Sequence, residues 1–229
     1  AKQAGLDPLS GIVKGDRDED YQVYDDLRKM LYEANEYYKK SLQESNLAKT
    51  YIEKRGISKK IIEKFQIGFA DNKNGFLKHI NEKNLKLEDA LKLGLVKKSI
   101  KDESKFYDFF RNRLIFPIKD YKSNVIAFGG RTIIKENSNL NYKEAKYINS
   151  SESAVFKKSF NLFNLDLALE EDKLPKDLIL VEGYMDVISL YQNNFKSVVA
   201  PLGTALTKFQ MERSWKYCKN PIIIFDGDE

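Results

Sequence analysis

Cysteine and histidine are nearly missing from this sequence of 229 residues, which holds one of each, Cys218 and His79. A single cysteine excludes a disulfide framework within the chain and a cysteine-based zinc site. A single histidine removes His-rich metal centres and the commonest general base. Long apolar runs are missing too: none approaches the roughly 20 residues that span a bilayer, and no stretch reads as a secretory signal. No segment repeats at the period of roughly 20–50 residues that marks solenoids and propellers. These absences imply a reduced, cytosolic setting and leave carboxylates and basic side chains as the groups to examine.

Those groups are unevenly distributed. Asp177-Leu-Ile-Leu-Val-Glu-Gly-Tyr-Met-Asp186 is a short apolar run ending in Glu182 and Gly183. Pro221-Ile-Ile-Ile-Phe-Asp-Gly-Asp-Glu229 has the same form and ends in Asp226, Gly227 and Asp228. Short unbroken apolar runs bounded by glycine and charge read as buried parallel strands. Ligands of open α/β sheets sit beyond the carboxyl ends of such strands, so both acidic tips are expected at one sheet edge. Carboxylates gathered there repel each other unless a cation lies between them, and hard oxygen ligands suit Mg²⁺ or Mn²⁺. The net charge is +5, but residues 51–160 hold 24 basic and 13 acidic side chains, a balance of +11. Residues 161–229 hold 7 and 11, a balance of −4. A basic middle beside an acidic end suggests a polyanion held next to a metal site. A Lys-rich solvated surface accounts for the same charge equally well.

The expected class is α/β: an α+β N-terminal subdomain over 21–172, then part of a βαβαβ parallel-sheet domain over 173–229. Residues 1–20, with Gly5, Pro8, Gly11 and Gly15, read as a linker, and a start on Ala1 rather than Met reads as a piece of a longer protein. From Tyr21 to about Leu47 the spacing of Leu27, Met30, Leu31 and Ala34 predicts a helix. Helices are also expected over Ala48–Lys54 and Ser58–Phe65, with Ser58 as N-cap, and over Gly75–Ile80 and Leu87–Leu93. Gln66–Ala70, Arg113–Ile118 and Val125–Phe128 read as strands, the last two around a turn at Asp120–Asn124. Lys135–Lys146 reads as a long polar loop or a hairpin tip, and Phe160–Leu169 as a helix. In the acidic domain, strands are expected to end at Val181, Ala200 and Phe225. Thr207 with Gln210 predicts a capping box between the last two.

Glu182 precedes a glycine that permits a tight turn. Asp186, four residues on, can lean toward the same point, and serves equally well as a cap near a helix N-terminus. Asp226 and Asp228 flank Gly227, a spacing that lets both reach one cation.

Glu-Gly-Tyr-Met-Asp, the Gly203-Thr204 turn and Asp-Gly-Asp together resemble a toprim domain, the metal-binding fold of primases, type IA and II topoisomerases and some nucleases. Upstream, Arg111-Asn-Arg-Leu-Ile-Phe-Pro-Ile-Lys-Asp120, Ile126-Ala-Phe-Gly-Gly-Arg131 and Lys146-Tyr-Ile-Asn-Ser150 are similar to motifs of the bacterial DnaG-type primase. So is Tyr51-Ile-Glu-Lys-Arg-Gly-Ile57 with Ile67-Gly-Phe-Ala70. The resemblance runs from about Tyr21 to Glu229. It implies a DNA-directed RNA polymerase that makes short RNA primers on a single-stranded DNA template from ribonucleoside triphosphates. Glu182, Asp226 and Asp228 are then the catalytic acids, with Asp186 added as a metal ligand; Glu182 serves as ligand or as base. Arg55, Arg111, Arg113, Arg131, Lys146, Asn149 and Lys158 are the implied nucleotide and template contacts. Arg forks and Lys point charges suit phosphates, although Lys158, beside Lys157, fits a solvated face as readily. The resemblance further implies a replicative helicase and a single-strand-binding protein as partners, and the bacterial nucleoid as location. It also implies zinc in a domain upstream of this stretch, and a toprim domain that continues past Asp228. A toprim nuclease or topoisomerase fragment, or a non-catalytic nucleic-acid-binding module, is the alternative reading.

Overall fold

The computed structural model describes residues 17–133, 145–203 and 205–227. The described residues begin with helix α1 (Arg17–Glu44), which starts inside the stretch read as a linker. Leu27, Met30, Leu31, Ala34, Tyr38 and Leu42 are buried along it, the i, i+3, i+4, i+7 stripe that the sequence spaces out. Helices α2 (Asn46–Lys54) and α3 (Lys59–Phe65) follow. The hydroxyl of Ser45 accepts from the Ala48 amide at 3.2 Å and caps α2. Ser58 occupies the N-cap position of α3 but makes no side-chain cap bond; its own amide donates to Gln192 Oε1 at 2.9 Å.

Strand β1 (Gly68–Ala70) is shorter than expected because Gln66 takes a left-handed conformation (φ 54°) to end α3. Helices α4 (Gly75–Glu82) and α5 (Leu87–Lys92) lead into an antiparallel pair, β2 (Val96–Lys98) and β3 (Phe106–Asp108). Then come β4 (Arg113–Lys119), β5 (Val125–Thr132) and β6 (Tyr147–Asn149). The antiparallel sheet runs β1-β4-β5-β6. Most of the polar loop expected at Lys135–Lys146 lies outside the described residues.

One face of this sheet packs on α1, α4 and α5 through Tyr38, Phe76, Phe110, Ile115 and Phe128. The approach of α1 is so close that a Cβ on Gly68 would meet Tyr38 Cβ at 2.5 Å, so only glycine fits there. The other face, with Leu114, Phe116 and Ile118, packs on residues from both halves of the chain, among them Ile61, Phe65, Val187 and Tyr191. The core is therefore continuous across the 172/173 boundary.

The helix expected over Phe160–Leu169 is instead three elements. A 3-10 turn (Lys158–Phe160) leads to β7 (Leu162–Phe163) and then α6 (Leu165–Glu171). Asn164 separates the last two with φ 68° while its side-chain Nδ2 donates to Val198 O at 2.8 Å. Asn tolerates the left-handed region, and tertiary pairing with a later strand overrides the local helical pattern. Next come β8 (Ile179–Leu180), α7 (Tyr184–Gln192), β9 (Val198–Pro201), α8 (Lys208–Trp215) and β10 (Ile222–Ile223). The Thr207–Gln210 capping box is present, with the Gln210 amide donating to Thr207 Oγ1 and the Thr207 amide to Gln210 Oε1. This second sheet runs β10-β8-β9-β7, with β8 parallel to both neighbours and β7 antiparallel to β9. The α/β reading thus holds, with βαβαβ in the second half. No described helix is long and apolar enough to cross a membrane.

Candidate active site

The chain leaves β8 on one side, toward β9, and returns on the other side as β10. That reversal puts the switch point of the sheet at the carboxyl ends of β8 and β10, the place where open α/β sheets bind ligands. Glu182 and Asp226 stand there. The Asp226 amide donates to Glu182 Oε1 at 2.7 Å, and both side chains are exposed. Asp186, also exposed, sits in the first turn of α7, and its Oδ2 accepts from the Gly183 amide at 3.1 Å. Asp228 and Thr204 lie outside the described residues. Exposed hard oxygens on adjacent strand tips fit a divalent cation. Among the described residues, no group of three acidic, His or Cys side chains converges as a metal cage; the described acids supply a pair and a neighbour.

The basic residues divide into exposed and buried groups. Arg55 ends α2 with its guanidinium over the Tyr51 ring at 5.3 Å, and Arg111 lies over Tyr107 at 5.0 Å. Both are exposed, as is Lys146, whose ammonium lies 5.9 Å from the Tyr147 ring centre. Arg131 is buried, donates from Nη1 to Tyr147 Oη and lies 5.2 Å from that ring. Its Nε is buried without a partner among the described residues, a guanidinium held with donor capacity to spare. Arg113 is also buried; its Nη1 donates to the carbonyls of Ala145 (2.9 Å) and Lys146 (3.3 Å). It fixes the backbone that presents Lys146. Lys158 is half-buried beside Gly203, and its amide donates to Glu152 Oε1.

Asn149 is half-buried and bonded at both ends of its amide. Its Oδ1 accepts from the Tyr184 hydroxyl at 2.5 Å, and its Nδ2 donates to Leu202 O at 3.1 Å. Tyr147 and Tyr184 are functional candidates that the sequence motifs alone did not single out. Their rings lie 6.1 Å apart. Burial raises the pKa of the Tyr147 hydroxyl and so holds it neutral; Arg131 opposes this, while Asp186 and Tyr51 add to it. Tyr147 is therefore the hub where Arg131, Lys146 and, through Tyr51, Arg55 approach the Glu182–Asp186 loop. The clustering of tyrosines inside the basic motifs was the signal available for it. Arg111, over Tyr107, stands apart from this hub.

Two family models match. The DNA primase catalytic core, N-terminal domain, covers residues 37–169, and a Toprim-like model covers residues 179–229. A DNA primase of Clostridium acetobutylicum is 38% identical over 208 residues, 90% of this chain and 33% of that protein. The chain thus spans about a third of the length of that relative. A crystal structure of the zinc-binding and RNA polymerase domains of Aquifex aeolicus primase matches with a TM-score of 0.81 and 37% identity, over 94% of this chain and 50% of that one. A DnaG primase catalytic domain bound to ssDNA matches with a TM-score of 0.80 and 33% identity, over 91% of this chain and 65% of that one. With the basic sheet matched by one model and the acidic strand tips by the other, the chain belongs to the DNA primase catalytic core family.

Proposed function

We propose that this chain is the part of a primase that builds short RNA primers on single-stranded DNA by nucleotidyl transfer. The observation that carries the reading is the pairing of the Glu182 and Asp226 tips at the sheet's switch point, next to the Tyr147 hub and its arginine and lysine. The 3′-hydroxyl of the growing RNA attacks the α-phosphate of the next ribonucleoside triphosphate. The bond between the α- and β-phosphates breaks, and pyrophosphate leaves. Such a reaction needs positioning and charge neutralisation above all.

Glu182 and Asp226, with Asp228, hold Mg²⁺ or Mn²⁺ in this reading, and Asp186 borders them. A bound divalent ion there supplies positive charge against the triphosphate oxygens. Arg131 and Lys146 meet the triphosphate from the sheet side, and Lys158 approaches from beside Gly203. Arg55 and Arg111, exposed over tyrosine rings, suit the phosphates and stacked bases of a single strand. Arg113 holds the strand segment that carries Lys146. We assign the replicative helicase and single-strand-binding protein as partners of the longer protein, zinc to a separate domain of it, and the bacterial nucleoid as its site of action.

The test is primer synthesis by the full-length protein on single-stranded DNA with ribonucleotides and Mg²⁺. Glu182→Gln and Asp226→Asn are expected to abolish primers while template binding persists. Wild-type synthesis in either variant, or cleavage of the DNA in place of primers, overturns the proposal.

A further inference from the structure

Tyr184 follows Glu182 by two residues and opens α7. It is 5% exposed, and its ring is held on several sides. The Phe116 ring lies parallel to it, 5.3 Å away at 4°, and Phe163 meets it edge-on at 4.6 Å. A Cβ on Gly129 would lie 2.5 Å from its Cζ, so β5 leaves the ring room only by carrying glycine. Those contacts would hold a phenyl ring just as well.

The hydroxyl does something the ring cannot. It donates to Asn149 of β6, and Asn149 donates to Leu202 O in the turn after β9. One amide therefore ties the antiparallel sheet to both loops of the acidic edge, the one that begins with Glu182 and the one that contains Gly203. Glu182 is exposed, and among the described residues its carboxylate accepts only a backbone amide across the ladder, so its placement relative to the Arg131–Tyr147 hub depends on what anchors its loop. We propose that Tyr184 is a positioning residue, whose hydroxyl acts through Asn149 to keep the acidic strand tips aligned with the basic sheet. Asn149 then serves as a strut, and nucleotide contacts fall to its neighbours. The inference rests on the primase reading above.

In the full-length protein, Tyr184→Phe should lower kcat for primer synthesis about tenfold, the scale of one lost orienting hydrogen bond. KM for ribonucleotides and the salt dependence of template binding should stay at wild-type values. Asn149→Ala should do the same, and the double variant should be no slower than either single one, since the two groups act as one unit. Amide exchange at Gly183 and Gly203 should quicken in both. Wild-type kcat in Tyr184→Phe overturns the proposal. So does a rise in KM for Asn149→Ala that persists in full on the Tyr184→Phe background, because that places Asn149 on the nucleotide. A wild-type protein that makes no primers overturns the functional reading instead. In that event exchange decides the strut, and unchanged exchange at Gly183 and Gly203 in Tyr184→Phe overturns it.

Discussion

The backbone amide of Asp226 donates to the carboxylate of Glu182 across the β8–β10 ladder, 2.7 Å apart though 44 residues distant in sequence. The contact brings two acidic motifs to one point. Removing one acid should therefore weaken the shared site and leave the sheet standing. By calorimetry, Glu182→Ala should reduce Mn²⁺ affinity about tenfold or more, the loss of one carboxylate from a hard-ion site. Its urea midpoint should match the wild type, because the side chain is exposed.

The space left for Tyr184 makes a separate prediction. Gly129→Ala puts a methyl 2.5 Å from Cζ and from Oη of the packed Tyr184 side chain. Overpacking of this kind costs about 1–3 kcal/mol, read as a lower urea midpoint. Gly203→Ala, whose Cβ would meet nothing closer than Lys158 Cδ at 4.0 Å, should be nearly silent in the same assay.

Asp108 caps α4 from outside the helix: its two carboxylate oxygens accept from the amides of Phe76 and Leu77, each at 2.9 Å. Burial nevertheless pushes its pKa from 3.8 up to about 6, with the two amides opposing and Asp71 adding to the rise. The folded state then holds a proton that the unfolded chain has released. The contribution of this group to stability is full below about pH 4 and is lost as pH rises through about 6. Urea unfolding of wild type and Asp108→Asn at several values from pH 4 to 7 should show that decline in the wild type and its absence in the variant. Asp108→Ala should be less stable than wild type by about 1–3 kcal/mol at any of these values, because two helix amides lose their acceptor.

Lys119 of β4 and Asp166 of α6 face each other at 4.0 Å with 10% and 4% of their side chains exposed. Burial lowers the pKa of Lys119 and raises that of Asp166, and each opposes the shift in the other. Asp166 Oδ2 has no hydrogen-bond partner among the described residues. Breaking such a pair strands a buried charge, so Asp166→Ala should cost about 3–5 kcal/mol. Replacing both with apolar residues, Lys119→Met with Asp166→Leu, should restore most of it. Thermal unfolding of the two singles and the double checks the cycle.

Much of this was legible in residue order. The spacing along α1 and the Thr207–Gln210 box are local patterns, and each appears where the sequence puts it. The two acidic runs do form parallel strands, but only the first is buried: β10 ends at Ile223, and Ile222, Ile223, Ile224 and Phe225 are exposed, because burial depends on what packs over a strand and not on its own apolar run. Asn164 shows where local pattern fails. The stretch around it looks helical until β9, more than thirty residues later, claims Leu162 and Phe163 as a strand. The basic residues show the same limit. Arg113 and Arg131 are as charged in sequence as Arg55 and Arg111, yet the first two are buried and the second two exposed.

The sequence by itself determined the α/β class, the acidic ends of two short strands and the basic motifs before them, because apolar period, glycine placement and charge are properties of neighbouring residues. Tertiary structure decided that β8 and β10 lie side by side, that Arg113 holds backbone, and that Asn149 is bonded to Tyr184 and Leu202. Those outcomes depend on which distant segments share one core, and pairing, burial and hydrogen-bond satisfaction across that core are set by the whole chain at once.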